Sequence, residues 1–544
     1  MTRPCDVVVV GGGHNGLAAA AVLAKAGLGV EVFEAAERPG GAIASGEVTR
    51  PGFVSDLFAT NMNLFLGSAF YQEHAGELEA TGLAFARSDH PYANLFPGGR
   101  GLGVERDVEA TLERLGRHAP GDAAGWRELD ESFSRLSGPL FELYGTAVGS
   151  LEMGRVLARA GRQLGRQGLR ELGQLVASSC RELVDAHLSS EEAKALVCSW
   201  GLHLDLAPDV SGGAVFPFLE AFADMHLGMA VVRGGASRLT DALVSIVEAH
   251  GGRVTVRAPV ARILVEAGRA SGVLLESGER RLARRAVFAN VAPSALAGGL
   301  LDESELPGET VRALRRYRFG PATMMLHMAC AGPVPWAAGE EFQRYAYVHL
   351  APYVDDLART YASAVAGELP SEPLLVVGQT TAVDPSRAPE GGHLLWVQVR
   401  ALPTRILSDP EGQLAGWRWD EAAEPYADRV LRKLERYAPG LGGLVLDRSV
   451  WSPSALERWD RNLVGGDSIG GSMHPRQNFL FRPVPGMARY RLPLAGLYLV
   501  GAGAWPGPGV NAGSGYLAAK DLLASLRGRF GTFALSRSKR GARS

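Results

Sequence analysis

Gly11, Gly13 and Gly16 stand in G-x-G-x-x-G spacing directly after the apolar run Val7–Val10. In this pattern the first glycine permits a tight turn. The second lets the backbone approach a pyrophosphate, and the third lets a helix pack closely on a sheet. The helix N-terminus then faces the negative charge. Glu34 closes the next apolar run. An acid there accepts hydrogen bonds from an adenosine ribose and repels a 2′-phosphate. Arg38-Pro-Gly-Gly41 adds a second glycine pair, Gly40 and Gly41, which allows the backbone to pass beside a larger cofactor. At the far end, Gly496-Leu-Tyr-Leu-Val-Gly-Ala-Gly503 is another apolar run feeding a glycine turn. Two such turns at opposite ends describe one dinucleotide site closed by the C-terminus, and they point to a bound flavin.

Three polar residues fall near the expected flavin edge: His14, Asn15 and Asp56. His14 and Asn15 are expected to satisfy backbone groups at the helix start, with proton transfer as the competing role. Asp56 is read in the same way. A flavin that removes hydride needs no dedicated side-chain base, so no catalytic residue is assigned. Cys5, Cys180, Cys198 and Cys330 form neither a C-x-x-C pair nor a zinc spacing, and no metal site is expected. The sequence has no C-x₄-C disulfide motif and no second strand-linked G-x-G-x-x-G, which argues against a pyridine-nucleotide disulfide reductase. Electrons are therefore expected to leave to oxygen, a quinone or another acceptor.

These residues require a framework. Strand Val7–Val10, a small-residue helix over 15–26 and strand Val30–Glu34 make the first unit. Helical periodicity dominates from about 104 to 230. Strands are expected at 253–256, 260–265, 271–275 and 286–289, and a closing helix at 512–526. The predicted fold is α/β: a Rossmann-type FAD-binding domain built from discontinuous segments, with an inserted α+β substrate domain and a helical subdomain. Its boundaries are expected at 1–85, 232–295 and 461–528 for the FAD-binding domain. A mostly helical substrate or lid insertion would span 86–231 and the substrate domain 296–460, followed by a basic flexible tail over 529–544. The length exceeds what a single core supports. A net charge of -2 gives no argument for nucleic acid. No run of about 18 uncharged apolar residues is present to span a membrane, and the cysteine usage fits a reducing cytoplasm.

Taken together, Gly11–Gly41 resembles the N-terminal signature of the glutathione-reductase-type flavoprotein superfamily. The C-terminal stretch, with Phe479-Leu-Phe-Arg-Pro-Val-Pro, Tyr490-Arg-Leu-Pro and Gly496–Gly503, resembles the phytoene desaturase and carotenoid ketolase family. Asn462-Leu-Val-Gly-Gly-Asp-Ser-Ile-Gly-Gly471 is similar to bacterial relatives in that family, and Gly251–Pro293 fits its middle segment. The resemblance implies FAD. It places Gly11, Gly13, Gly16 and Glu34 at the adenosine diphosphate end. Gly40 and Gly41 would lie beside the pyrophosphate or ribityl chain, and Val260 would meet adenine through its backbone. Gly501, Ala502 and Gly503 would hold the ribityl region from the other side. Gly509, Val510 and Asn511 would lie under the flavin ring. One departure stands out. Family members often read Thr-His-Pro-Gly-Gly-Gly where this chain reads Ala504-Trp-Pro-Gly-Pro-Gly509. Trp505 would stack near the flavin, narrow the chamber or simply pack.

The resemblance implies an FAD-dependent oxidoreductase that oxidises, by desaturation, a largely apolar and lipophilic small molecule. A tailoring oxidase of a smaller metabolite is the alternative. A non-catalytic lipid- or prenyl-binding protein on the same fold is a third reading, disfavoured because the whole glycine track is present. Arg155, Arg159, Arg162, Arg166 and Arg170 recur at helical spacing and form one basic stripe. A solvated face and peripheral contact with anionic membrane are the two readings of it. The second would suit a cytoplasmic protein at the inner face of the membrane.

Overall fold

The computed structural model describes residues 5–540. Two seven-stranded sheets organise it. The first is the nucleotide sheet. Its long strand Arg280–Ala289 pairs in parallel with Cys5–Val10 on one side and with Leu497–Leu499 on the other. The two ends of the chain are thus joined across a strand from its middle, and all three runs deliver their C-terminal ends to one edge. Val30–Phe33 and Arg253–Thr255 extend the sheet in parallel beyond Cys5–Val10. Arg269–Leu275 and Val260–Glu266 extend it antiparallel beyond the first half of Arg280–Ala289. Val7, Val8 and Val9 are fully buried, as a central parallel strand demands.

Helix His14–Lys25 packs its alanines against this sheet, with Ala18 to Ala21 completely buried. The last helix, Gly513–Arg540, crosses it closely. A β-carbon at Gly515 would fall 1.8 Å from the Asn15 carbonyl oxygen, so only glycine admits that approach. This helix continues through much of the segment expected as a flexible tail. Nothing between 527 and 540 is a proline that would stop it.

The second sheet runs Val445–Trp451, Ala322–Cys330, His393–Leu402, Leu374–Gly378, Tyr347–Leu350, Tyr92–Phe96, Arg100–Val104. Its neighbours are antiparallel except Tyr347–Leu350 with Tyr92–Phe96. The segment expected as a mostly helical insertion therefore contributes two strands to this sheet, Tyr92–Phe96 and Arg100–Val104. One face packs on helix Trp419–Tyr437. The other carries Tyr92, Met325, Tyr347 and Trp396 into a large core shared with the helical region. That region includes Pro120–Tyr144 and Leu151–Ala177. Asp122 anchors it from inside, accepting from the backbone and hydroxyls of Ser189 and Ser190. Among the described residues no helix is long and apolar enough to cross a membrane.

Candidate active site: a cleft where three chain segments meet

The strand ends of the nucleotide sheet open on a cleft. It is lined by Gly13–Asn15, Gly40–Ile43, Asn290–Ala292, Gly501–Gly503 and Gly509–Val510, with the 460–470 loop closing one side. Of the residues predicted from sequence, Gly13, His14, Asn15, Gly40, Gly41, Gly501, Ala502, Gly503, Gly509 and Val510 all line it. Gly11, Gly16, Glu34, Val260 and Asn511 do not.

Gly11 and Gly16 lie beneath the cleft and make the turn possible. Gly11 has φ +89°, and a side chain there would meet the Asn290 carbonyl oxygen at 2.8 Å. A β-carbon at Gly16 would meet the Gly11 carbonyl oxygen at 2.5 Å. Glu34 accepts from the backbone N–H of Gly12 at 2.7 Å and of Ala36 at 2.8 Å. It holds the glycine turn while leaving lone pairs for a ribose hydroxyl. Val260 pairs with Leu275 at the sheet edge, and Ala258, two residues before it, donates to the Glu34 carbonyl. Asn511 organises the second turn. Its amide nitrogen meets the carbonyls of Pro508 and Gly509, and its oxygen caps the Gly513 N–H at 2.8 Å.

The N-cap of helix His14–Lys25 is Gly13, so its start has no side-chain cap, and His14 and Asn15 lie just inside it. They join the two ends of the chain instead. Asn15 Oδ1 accepts from the Ser514 hydroxyl at 2.9 Å, and its amide nitrogen lies 2.9 Å from His14 Nε2. Burial pushes the His14 ionisation down to about 4, opposed by a backbone contact with Gly509. Asp56 is no proton carrier at the flavin edge. It is buried, accepts from the Ala236 N–H and the Thr60 hydroxyl at 2.7 Å each, and pairs with buried Arg387 at 2.8 Å. Trp505 packs: it stacks on Tyr144 at 5.1 Å and donates to the Thr146 carbonyl at 2.9 Å. The indole fastens the second turn to the helical region.

Asn290 is the residue that sequence reasoning passed over. Its amide nitrogen lies 3.2 Å from the Gly11 carbonyl and 3.4 Å from that of Gly13. Its oxygen faces Gly501, where φ is +99° and a β-carbon would come within 2.8 Å. One side chain thus gauges the gap between both glycine turns. The available signal was its place at the end of Ala286-Val-Phe-Ala-Asn290, a strand leaving the sheet beside two glycine turns. Arg482 and Asp467 were also missed as individuals, although both lie in motifs that drew attention. Arg482 is fully buried and donates to the carbonyls of Ala502, Ser472, Gln477 and Gly471. Asp467 gathers the N–H groups of Gly320, Ile469 and Gly471. Burial raises its carboxyl above the ordinary range. Asp460 lies against Gly41, with Oδ2 2.8 Å from where a β-carbon would stand. Burial, then the charge of Glu34, raises it to about 6.

The geometry suits FAD: a backbone cradle that side chains at Gly13, Gly41 or Gly501 would obstruct, two helix starts, and an acid at the end of the second strand. Residues 16–510 match the model of the flavin containing amine oxidoreductase family. The chain belongs to this family. It is an FAD-dependent oxidoreductase of the amine-oxidase type and resembles the phytoene desaturases. Pyridine nucleotide-disulfide oxidoreductase domain-containing protein 2 of Rattus norvegicus is 29% identical, over 96% of this chain and 94% of that protein. Phytoene desaturase (neurosporene-forming) of Cereibacter sphaeroides is 26% identical, over 95% and 94%. An oxidoreductase structure from Methanosarcina mazei shares the fold, with a TM-score of 0.60 at 18% identity, covering 95% of this chain and all of that one.

Proposed function

We propose that this enzyme desaturates a largely apolar organic molecule and passes the electrons to oxygen or a quinone. FAD, when bound, supplies the hydride acceptor. The observation that carries the reading is the chemistry of the cleft lining. Among its described residues only His14 and Asp460 titrate. His14 is tied to Asn15, and Asp460 lies against Gly41 at the cradle. Asn15, Asn290, Asn462 and Ser468 add neutral polar groups, and the remaining walls are backbone and apolar side chains such as Ile43, Ala59, Leu463 and Ile469. Leu463 belongs at once to this lining and to the large core that carries Tyr347 and Trp396. A lining this poor in charge orients a bound molecule by shape and neutral contacts rather than by ion pairing. The similarity to a phytoene desaturase supports the same substrate class.

Peripheral contact with anionic membrane is part of the proposal. Arg155, Arg159, Arg162, Arg166 and Arg170 are all exposed on helix Leu151–Ala177. Leu151 and Leu157 are exposed before the backbone break at Gly165, Leu151 to 86%, and Leu169 after it. Arginines bracketing exposed leucines match a headgroup interface. A cytoplasmic protein at the inner face would meet a lipophilic substrate there.

The decisive experiment is anaerobic mixing of the FAD-loaded enzyme with alkenes and terpenoids on one side and primary amines on the other. Flavin bands bleached by apolar compounds and restored by air or a quinone are the expected result. Bleaching by amines alone would overturn the reading.

A further inference from the structure

The face of the second sheet turned toward residues 57–63 carries polar groups that cofactor binding leaves unused. His349, on strand Tyr347–Leu350, is 1% exposed. Its Nδ1 lies 3.2 Å from Asn94 Oδ1. The Asn94 amide nitrogen donates to the Ala195 carbonyl and the Ser199 hydroxyl. The amide oxygen is therefore the end that faces the imidazole. An oxygen of this kind only accepts, so Nδ1 carries the ring proton and Nε2 presents a bare lone pair. Burial pushes the ionisation of His349 down to about 3, so the ring stays neutral. Its Nε2 is buried and has no hydrogen-bond partner among the described residues.

A second such nitrogen stands beside it. The His203 ring lies 5.5 Å from that of His349, edge-on. Its Nε2 is likewise buried without a partner among the described residues. Burial and the nearby Arg400 charge keep this ring neutral as well. Trp200 closes the group, 4.9 Å from His203 and 5.2 Å from His349. Tyr347, on the same strand as His349, lies 6.4 Å from it and meets the Asn61 backbone with its hydroxyl. Leu64, three residues further on, abuts Gly509 in the cofactor cleft. The cluster thus touches, through Tyr347, the same 61–64 segment that reaches the cofactor cleft at Gly509.

A nitrogen that must accept and a neighbour free to donate select among ligands. A hydrocarbon satisfies neither. A carboxylate only accepts and leaves His349 unmet. An ammonium only donates and leaves a His203 N–H unmet. A hydroxyl does both. We propose that His349 and His203 hold the hydroxyl group of an otherwise apolar substrate, the oxygen accepting from His203 and its proton donated to His349. The hydroxyl is an anchor, set apart from the bond that is oxidised. This inference rests on the proposal that the substrate is largely apolar, and it narrows that proposal to hydroxylated molecules.

The test is binding of decanol, decane and decylamine to the FAD-loaded enzyme at pH 7, followed by the flavin absorption band and by the thermal midpoint. Decanol is expected to bind roughly tenfold tighter than decane, the worth of a well-made buried hydrogen bond. His349→Phe and His203→Phe are each expected to abolish that preference without weakening decane. Equal binding of decanol and decane by the native enzyme would overturn the inference, as would tighter binding of decylamine or a preference that survives both substitutions. Should His349→Phe fail to fold, His203→Phe decides alone, since that ring is only partly buried. Failure of the oxidation reading would show separately: no substrate would bleach the flavin, while the thermal midpoint would still report the alcohol preference.

Discussion

Asp460 offers the sharpest test of the electrostatics at the cofactor cleft. Its ionisation is raised from 3.8 to about 6, first by burial and then by the charge of Glu34. A shift of that size means the folded protein holds the charged carboxylate at a cost of about 3 kcal/mol. The sign follows from the direction of the shift. Below 3.8 the group is protonated whether the chain is folded or not, and it costs nothing. The cost grows between 3.8 and about 6 and is fully present above 6. Asp460→Asn keeps the shape and the acceptor for the Asn462 N–H, now at 2.9 Å, and removes the charge. For a chain of 544 residues the entropy of unfolding is roughly 1 kcal/mol per degree. The variant should therefore gain about 2–3 °C in thermal midpoint at pH 8 as the apoprotein, and about 0.5 °C or less at pH 4. The same charge stands beside Gly41, where the resemblance puts the pyrophosphate or ribityl chain. FAD binding to the native apoprotein should weaken as pH rises through 6, by at most tenfold per unit for one linked proton. In Asp460→Asn it should be flat. Midpoints measured from pH 4 to 8, with FAD titrations at pH 5.5 and 8, give both readouts. An equal midpoint at pH 8, or a gain that persists undiminished at pH 4, would refute the reasoning.

Three further outcomes are expected. Asn290→Ala leaves the Gly11 and Gly13 carbonyls without their side-chain donor. At about 1–3 kcal/mol, FAD affinity should fall roughly ten- to hundred-fold in a titration of apoprotein. Arg482→Met removes a buried guanidinium that satisfies four carbonyls. It should cost about 3 kcal/mol or more, read as a lower thermal midpoint and as faster proteolysis within 470–485. Replacing Arg155, Arg162 and Arg166 by glutamate should abolish sedimentation with vesicles containing phosphatidylserine and leave flavin content unchanged. Binding of the native protein that is indifferent to salt and to phosphatidylserine would defeat the membrane proposal.

Much of the nucleotide half was legible in the chain because its determinants are local. A turn that tolerates only glycine, a fully apolar strand and an acid at the next strand end are all written within a few dozen residues, 6 to 41. Ten of the predicted residues line one cleft, and six of them are glycines where a β-carbon would crowd a neighbouring atom. Pairing across the fold was not legible. That the strand ending at Asn290 separates the two ends of the chain depends on parallel register, with Ala289 beside both Val10 and Leu499. Asp56 looks like a candidate acid until Arg387, far away in sequence, neutralises it. Cys180 and Cys198 show no motif spacing, yet the fold brings their sulfurs to 3.2 Å. His349 and His203 carry no signal at all in the sequence. Their meaning comes from an amide that orients one ring and from burial that leaves two nitrogens unmet. The sequence by itself determined where backbone had to come close to a cofactor, since excluded volume acts over neighbouring residues. Only the tertiary structure decided which polar groups were satisfied and which were left for a ligand, since hydrogen bonding and desolvation depend on what the rest of the chain brings alongside.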